Sequence, residues 1–432
     1  MNILLIHQYF LEKGDGGGSR FNEMTRIWEK EGNTITVVSG MVHYTTGEKY
    51  PQYKGKFIVK EKVSNGIDVY RCHVSEAYNK SFIGRLWAYF SFVMSSLICI
   101  LRLKSKFDII LVTSPPLFVA ITGIIASKIK RTPFVFEVRD LWPESAIDTG
   151  VLTSKPLIKL AYWLEKKAYK NARIVNALTP AFKKILIEKK HLPASKVLMI
   201  PNAADFSISE KVISTFDRVA FRKELGVHDK FVVTYVGAHG VANHLQQILD
   251  TAELLKDTNV VFMLIGAGMQ KQWLKDECSK RELDNYVKFV DPVSKERVFE
   301  YICASDAGAS VLKKVDTFKT VYSNKTFDYM ACRKPVLMAI DGVSRELVET
   351  ANCGFYVEPE NPADFADKIR KYLGNPSRVK EHGENGYKYA KEHFDREVLA
   401  REYLKKLEHL ADKTSPDLTP RPPLPRGEGE QE

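Results

Sequence analysis

Short apolar runs recur along the chain, most closed by glycine, proline or an acidic turn. Many are followed by a segment with apolar residues three and four apart. That alternation of buried strand and amphipathic helix is the pattern of an open α/β sheet. In the first half, strands are expected at 2–6, 34–39, 67–73, 108–113, from 133, and at 172–178. Helices are expected up to residue 31, at 117–128 and at 157–170, while 41–66 read as irregular. The pattern restarts after a polar stretch at 206–229, with strands at 231–236, 260–265, 287–290 and 354–357. Helices are expected there at 245–255 and 363–373. Helical residues 387–412 follow, and the Pro-rich stretch from Thr414 is expected to be disordered.

The most apolar segment, 82–104, is bracketed by Arg85 and by Arg102 with Lys104. Its apolar core, 86–101, is shorter than the roughly 20 residues of a spanning helix. It is expected to pack on its domain with one edge touching lipid headgroups. An ordinary buried helix is the alternative.

Length and charge refine this picture. A chain of 432 residues is too long for one core. Domains are expected at 1–203 and 204–388, with 389–412 packing back on the first and 413–432 a tail. Residues 1–200 carry 30 Lys and Arg against 16 Asp and Glu, a net of +14, and the remainder is −3. A basic front half suits an anionic membrane or a phosphorylated substrate. No zinc-finger, ribonucleoprotein or leucine-zipper pattern is present, so no nucleic-acid partner is expected. Six scattered cysteines without a C-x-x-C pair read as reduced thiols. The first residues lack a basic region before a long apolar core, so no signal peptide is read.

The chemistry concentrates at 318–341, a loop, a short helix, a proline turn and a buried strand. Ser323 is placed as N-cap, Phe327, Met330 and Ala331 form an apolar face, and Lys325 and Asp328 share another. A lysine at a helix start suits a phosphate, and a carboxylate one turn on suits ribose or sugar hydroxyls. The plain alternative is an αβ connection with a surface ion pair. The glycines at 16–18 follow the first strand but do not fit a dinucleotide fingerprint, and the second strand ends in Ser-Gly rather than an acidic residue. Arg139, Asp140 and Glu144 follow a strand and would point into a cleft, or form a structural ion pair.

Taken in order, Gly16-Gly-Gly-Ser-Arg20, Ile200-Pro-Asn-Ala-Ala-Asp205, Tyr235-Val-Gly, Leu264-Ile-Gly-Ala-Gly268, the Val287-to-Val293 turn and Lys325-x-x-Asp-Tyr-Met-Ala-x-x-Lys-Pro-Val336 resemble the retaining glycosyltransferases of family 4. The resemblance covers residues 1–410 and implies the GT-B architecture, two facing Rossmann-like domains. Glu137-Val-Arg-Asp-Leu-Trp-Pro-Glu144 resembles the bacterial O-antigen and capsule subgroup, including N-acetyl-fucosamine transferases. It implies transfer of an N-acetylamino sugar from a UDP-sugar to a lipid-linked (polyprenyl-diphosphate) or saccharide acceptor, and the basic front half with the 82–104 segment suits an enzyme resting on the inner face of the cytoplasmic membrane. It further implies Gly266, Gly268, Pro292 and Val293 beside the base, and Asp328 on the ribose. Gly237, His239, Gly240, Ser323, Asn324 and Lys325 would lie by the diphosphate. Gly17, Gly18, Arg20 and Glu144 would lie on the acceptor and phosphate side, and Arg139, Asp140 and Lys325 would be the catalytic residues.

Three positions depart from the family pattern. Thr320 stands where the first glutamate of E-x7-E is expected, and Asp328 is one methylene shorter than the second. Ala238 and Asn243 replace the usual arginine and lysine. Lys325, His239, Lys319 and Arg20 are the candidates to compensate. No D-x-D motif is present, and the resemblance implies work without a metal or other cofactor. A UDP-N-acetylglucosamine 2-epimerase shares the architecture, and a degenerate, non-catalytic assembly partner is the other alternative.

Overall fold

The computed structural model describes residues 1–12, 15, 20–43, 47–77 and 82–412. Gly16, Gly17, Gly18 and the tail from 413 lie outside the described residues. Eight strands form the first sheet: β1 (Asn2–Ile6), β2 (Thr34–Gly40), β3 (Ile58–Lys62), β4 (Ile67–Cys72), β5 (Ile109–Ser114), β6 (Phe134–Val138), β7 (Ile174–Ala177) and β8 (Val197–Met199). Their order is β3-β4-β2-β1-β5-β6-β7-β8, parallel except for β3 on β4. Alternate residues of β1 and β5 serve opposite faces. Leu4, Ile6, Ile110 and Val112 pack in one layer and Ile3, Leu5, Ile109 and Leu111 in the other.

The second sheet runs β11 (Val287–Val290), β10 (Val260–Ile265), β9 (Phe231–Val236), β12 (Ala307–Val311), β13 (Val336–Ala339), β14 (Gly354–Tyr356), all parallel. These are the two Rossmann-like α/β units of the GT-B fold. Strand order reverses between β1 and β5 in one sheet and between β9 and β12 in the other. The crevice at such a switch is where open α/β sheets take ligands.

The chain returns to the first unit at its end. Helix Arg396–Ala411 lies on helix Arg20–Lys30, with Trp28 Nε1 donating to the Ala400 carbonyl at 2.8 Å. Leu399, Tyr403, Leu404 and Leu407 join the core of β1 and β5.

Several elements differ from expectation. The stretch at 206–229 holds two helices, Phe206–Thr215 and Arg218–Glu224, each capped by an aspartate, Asp205 or Asp217. Residues 387–412 are not one helix. Helix Pro376–His393 ends before Phe394, which packs 4.9 Å from Phe327, and Arg396–Ala411 starts anew behind an Asp395 cap. Strand β3 and helices Lys271–Lys280 and Val343–Thr350 were not expected.

Helix Phe82–Arg102 lies on the first sheet. Its Ile83–Arg102 portion is long and apolar enough to cross a membrane. Ala88, Phe92, Val93, Cys99 and Ile100 are nevertheless buried in the core, while Ile83, Trp87, Phe90, Met94 and Leu101 are exposed. All six cysteines are buried free thiols.

Candidate active site

The two units meet along the carboxyl ends of their strands. Thr179, just past β7, donates to the Thr320 carbonyl at 2.7 Å, and Asp148 accepts from the Thr317 hydroxyl. Lys295 of the second unit reaches Glu23 of the first and lies 3.5 Å from Asp205.

On the second unit, the cleft wall is made by helix Asn324–Ala331 and two glycine turns. The helix buries Phe327, Met330 and Ala331, as its apolar spacing requires, and turns Lys325 and Asp328 the other way. Ser323 holds the N-cap position, but its hydroxyl does not cap; its amide donates to Ser344 Oγ at 3.3 Å. Among the described residues, neither Lys325 nor Asp328 has a hydrogen-bonded side-chain partner. Lys325 Nζ stands 4.6 Å from the Tyr235 ring centroid, and burial pulls its ammonium down to about 8. Burial also pushes the Asp328 carboxyl up to about 6, against the pull of Lys295.

The turns after β9 and β10 are laced together. The amide of Gly237 donates to the Ile265 carbonyl at 3.0 Å, and that of His239 to the Ala267 carbonyl at 2.8 Å. Gly237 and Gly266 have φ of 145° and 144°. A Cβ on Gly266 would run into the Gly237 carbonyl, and one on Gly237 would stand 3.3 Å from Lys325 Cε. Glycine is therefore required for the two turns to cross this closely beside the lysine. His239 is fully buried beneath them, neither ring nitrogen hydrogen-bonded among the described residues, and burial, with Lys271 and Lys275, pulls it down to about 4. Gly240 opens the short turn Val241–Asn243. Asn324 and Pro292 are exposed and Val293 is half-buried, at the end of β11.

Lys271 was not singled out by sequence, yet it joins the turns. Its Nζ donates to the Gly266 carbonyl at 2.8 Å, the Val290 carbonyl at 2.9 Å and Asp291 at 2.6 Å. Thr320 turns its hydroxyl back to the Thr317 carbonyl at 2.6 Å, and Lys319 pairs with Asp316 at 2.9 Å.

On the first unit, one expectation is corrected. Arg20 does not line the cleft, because it is buried and its guanidinium is consumed. It holds Glu137 at 3.0 Å and donates to the Ile200 carbonyl at 2.9 Å and to the Pro201 carbonyl. Asn176 closes the same knot, donating to Glu137 at 3.1 Å. Glu144 is tied to Lys190. Arg139 lies past β6, where its charge, after burial itself, helps hold the buried His7 imidazole well below its usual range. Asp140 accepts from the Ser145 hydroxyl at 2.6 Å, and burial raises its carboxyl above the usual range. Gly17 and Gly18 lie outside the described residues.

A second cluster went unread in the sequence. Glu23, Asp205, Lys295 and Arg396 come from four separate segments and meet where the units join, with Arg396 Nε 2.9 Å from Glu23. Lys295 also acts on Asp328. Nothing local distinguishes Lys295 from the other lysines, so only the fold reveals it.

Two facing Rossmann-like units, with glycine turns and a lysine–aspartate helix at the strand ends, define the GT-B class of glycosyltransferases. Residues 217–389 match the family "Glycosyl transferases group 1", and residues 15–203 match "Glycosyl transferase 4-like domain". The chain thus pairs a glycosyl transferase 4-like domain at residues 15–203 with a glycosyl transferases group 1 domain at residues 217–389. It is 22% identical over 415 residues to the putative colanic acid biosynthesis glycosyl transferase WcaI of Escherichia coli, covering 94% of this chain and 99% of that protein. Anabaena Alr3699/HepE, solved in complex with UDP-glucose, superposes with a TM-score of 0.69 at 20% identity, covering 94% of this chain and 99% of that one. WaaG, a glycosyltransferase involved in lipopolysaccharide biosynthesis, gives 0.70 at 13% identity, over 94% and 99% of the two chains.

Proposed function

We propose that the protein transfers an N-acetylamino sugar, with retention, from a UDP-sugar to a lipid-linked or saccharide acceptor in surface-polysaccharide synthesis. The observation that carries this is Lys325 and Asp328, on one helix face beside the crossed Gly237 and Gly266 turns and without a side-chain hydrogen bond among the described residues. Lys325 takes the diphosphate and Asp328 the ribose hydroxyls. Gly266, Gly268, Pro292 and Val293 border the base. UDP as the carrier accords with the HepE complexes with UDP and UDP-glucose. The amino-sugar assignment rests on the Glu137-to-Glu144 resemblance.

Departure of the UDP leaves negative charge on the β-phosphate, which Lys325 and the main-chain amides at the helix start offset. The leaving phosphate oxygen takes the acceptor's proton as the new glycosidic bond forms on the same face. No protein nucleophile and no metal is assigned. Asp140 and Arg139 orient the acceptor from the first unit. Residues 1–203 serve the acceptor and 204–388 the donor. The enzyme rests on the inner face of the cytoplasmic membrane through 82–104.

The test is a mass-spectrometric screen of UDP-sugars against lipid-linked and free saccharide acceptors. A mass increase of one N-acetylhexosamine-type residue on an acceptor supports the reading. Conversion of UDP-GlcNAc alone to its epimer, with no acceptor product, overturns it. UDP binding without transfer to any acceptor overturns it in favour of a non-catalytic partner.

A further inference from the structure

Charged side chains from separate segments gather where the two units join. Glu23 lies on helix Arg20–Lys30, and Asp205 caps helix Phe206–Thr215. Lys295 opens helix Lys295–Ala304, Asp328 lies on helix Asn324–Ala331, and Arg396 opens helix Arg396–Ala411. Four of these pair among themselves. Lys295 Nζ reaches Glu23 and stands 3.5 Å from Asp205, while Arg396 Nε lies 2.9 Å from Glu23. Asp205 also accepts from the Ser207 hydroxyl at 2.6 Å, and Arg396 donates to the Ala203 carbonyl at 2.6 Å. Glu23, Asp205 and Arg396 are buried, so their charges need partners inside the joint.

Asp328 is the odd one in this group. It has no side-chain hydrogen bond among the described residues, and after burial itself Lys295 is the strongest influence on it. Three carboxylates thus share two cations, and one must go without a cation of its own. Here that carboxylate is Asp328, because Glu23 and Asp205 take the ammonium. Without Glu23, the same ammonium would have only Asp205 and Asp328 to face. A hydroxyl carries no charge, so it competes poorly with an ammonium for a carboxylate.

We infer that Glu23 is a positioning residue for the donor, holding the Lys295 ammonium off Asp328 so that this carboxylate stays open to ribose hydroxyls. The inference rests on the UDP-sugar reading of Asp328. Glu23 acts through Lys295 and does not itself meet the donor. Because Glu23 belongs to the first unit and Asp328 to the second, the ribose site is complete only while the units stand together. The plain alternative is a cluster that merely ties the units to each other. The two differ in which nucleotide they affect.

The experiment is calorimetric titration of the full chain with UDP and with 2′,3′-dideoxy-UDP, at a pH where Asp328 is charged. The parent should bind UDP about tenfold tighter, since the dideoxy compound lacks the hydroxyls. Glu23→Gln should weaken UDP about tenfold and leave dideoxy-UDP unchanged. Adding Lys295→Met to Glu23→Gln should restore UDP affinity, because no ammonium remains to cover Asp328. Undiminished UDP affinity in Glu23→Gln overturns the inference alone. An equal loss on both nucleotides overturns it in favour of a joint that only holds the units. Equal binding of both nucleotides by the parent removes Asp328 from the ribose, and overturns the donor reading and this inference together. Lys295→Met keeps the Glu23–Arg396 pair and decides the matter where Glu23→Gln does not fold. UDP affinity equal to the parent's then supports the inference, and a loss of about tenfold overturns it.

Discussion

Lys325 and Asp328, one turn apart on helix Asn324–Ala331, are displaced by burial toward each other on the pH scale. The ammonium is lowered to about 8 and the carboxyl raised to about 6. In the proposed function each must be charged, Asp328 to accept from the ribose hydroxyls of a UDP-sugar and Lys325 to face its diphosphate. Donor kcat/KM should therefore be bell-shaped, falling as pH drops through about 6 and as it rises through about 8. Lys325→Met should remove the alkaline limb and lower kcat/KM at least about a hundredfold. A limb near 8 that persists in that variant would assign it to another group.

The acid limb should answer to Lys295. That ammonium faces Glu23 on helix Arg20–Lys30 and Asp205 between the units, with Arg396 beyond, and it favours the charged form of Asp328. Glu23 and Asp205 act on Asp328 in the opposite sense, and Arg396 in the same sense as Lys295. Removing the cation in Lys295→Met should move the acid limb to higher pH by up to about one unit, and Lys295→Arg should restore it. Thermal melting of the same variants separates this from instability, because Glu23 keeps Arg396.

The crossed turns make a steric prediction. Gly266→Ala places a methyl against the Gly237 carbonyl at a φ that side chains avoid, so the turns must part. UDP binding should weaken more than about tenfold. Gly226→Ala is the control: its φ is 65°, yet nothing lies within 4 Å of the added carbon. It should cost only about 1 kcal/mol of stability and leave UDP affinity intact.

Arg20 tests a structural role. Its charge is matched by Glu137 inside the first unit, so Arg20→Met leaves a buried carboxylate without its cation, though Asn176 still donates to it. The expected loss is about 3–5 kcal/mol of stability. Denaturant unfolding should show it, while kcat of the folded fraction stays near that of the parent. A large kcat loss without destabilisation would return Arg20 to the cleft.

The contrast between Arg20 and Lys325 shows what sequence can carry. Lys325 and Asp328 are legible because a helix of period 3.6 sets their relation within four residues. Arg20 meets Glu137 from 117 residues away, and no local pattern reports that meeting. The strands ending in glycine were legible for the same local reason. Strand β3 was not, because Ile58-Val-Lys-Glu-Lys62 is a half-exposed edge whose charges hide the alternation. The break at Phe394 was also hidden. It arises because the Ala204 amide donates to the Phe394 carbonyl at 2.8 Å, tying the chain end to the segment between the units.

The outer face of helix Phe82–Arg102 sets the last test. Exposed Ile83, Trp87, Phe90, Met94 and Leu101 recur every three, four or seven residues, so they form one ridge, while the opposite side is core. A ridge of this kind beside a net of +14 in residues 1–200 should bind anionic vesicles through both area and charge. Trp87→Glu with Met94→Glu should reduce partitioning into phosphatidylglycerol vesicles at least about tenfold. Arg102→Gln with Lys104→Gln should reduce it less, and that smaller part should vanish in high salt. Far-UV circular dichroism and UDP binding should stay unchanged, since neither pair touches the core or the cleft. Undiminished partitioning in the Trp87 and Met94 double variant would remove the ridge from membrane contact.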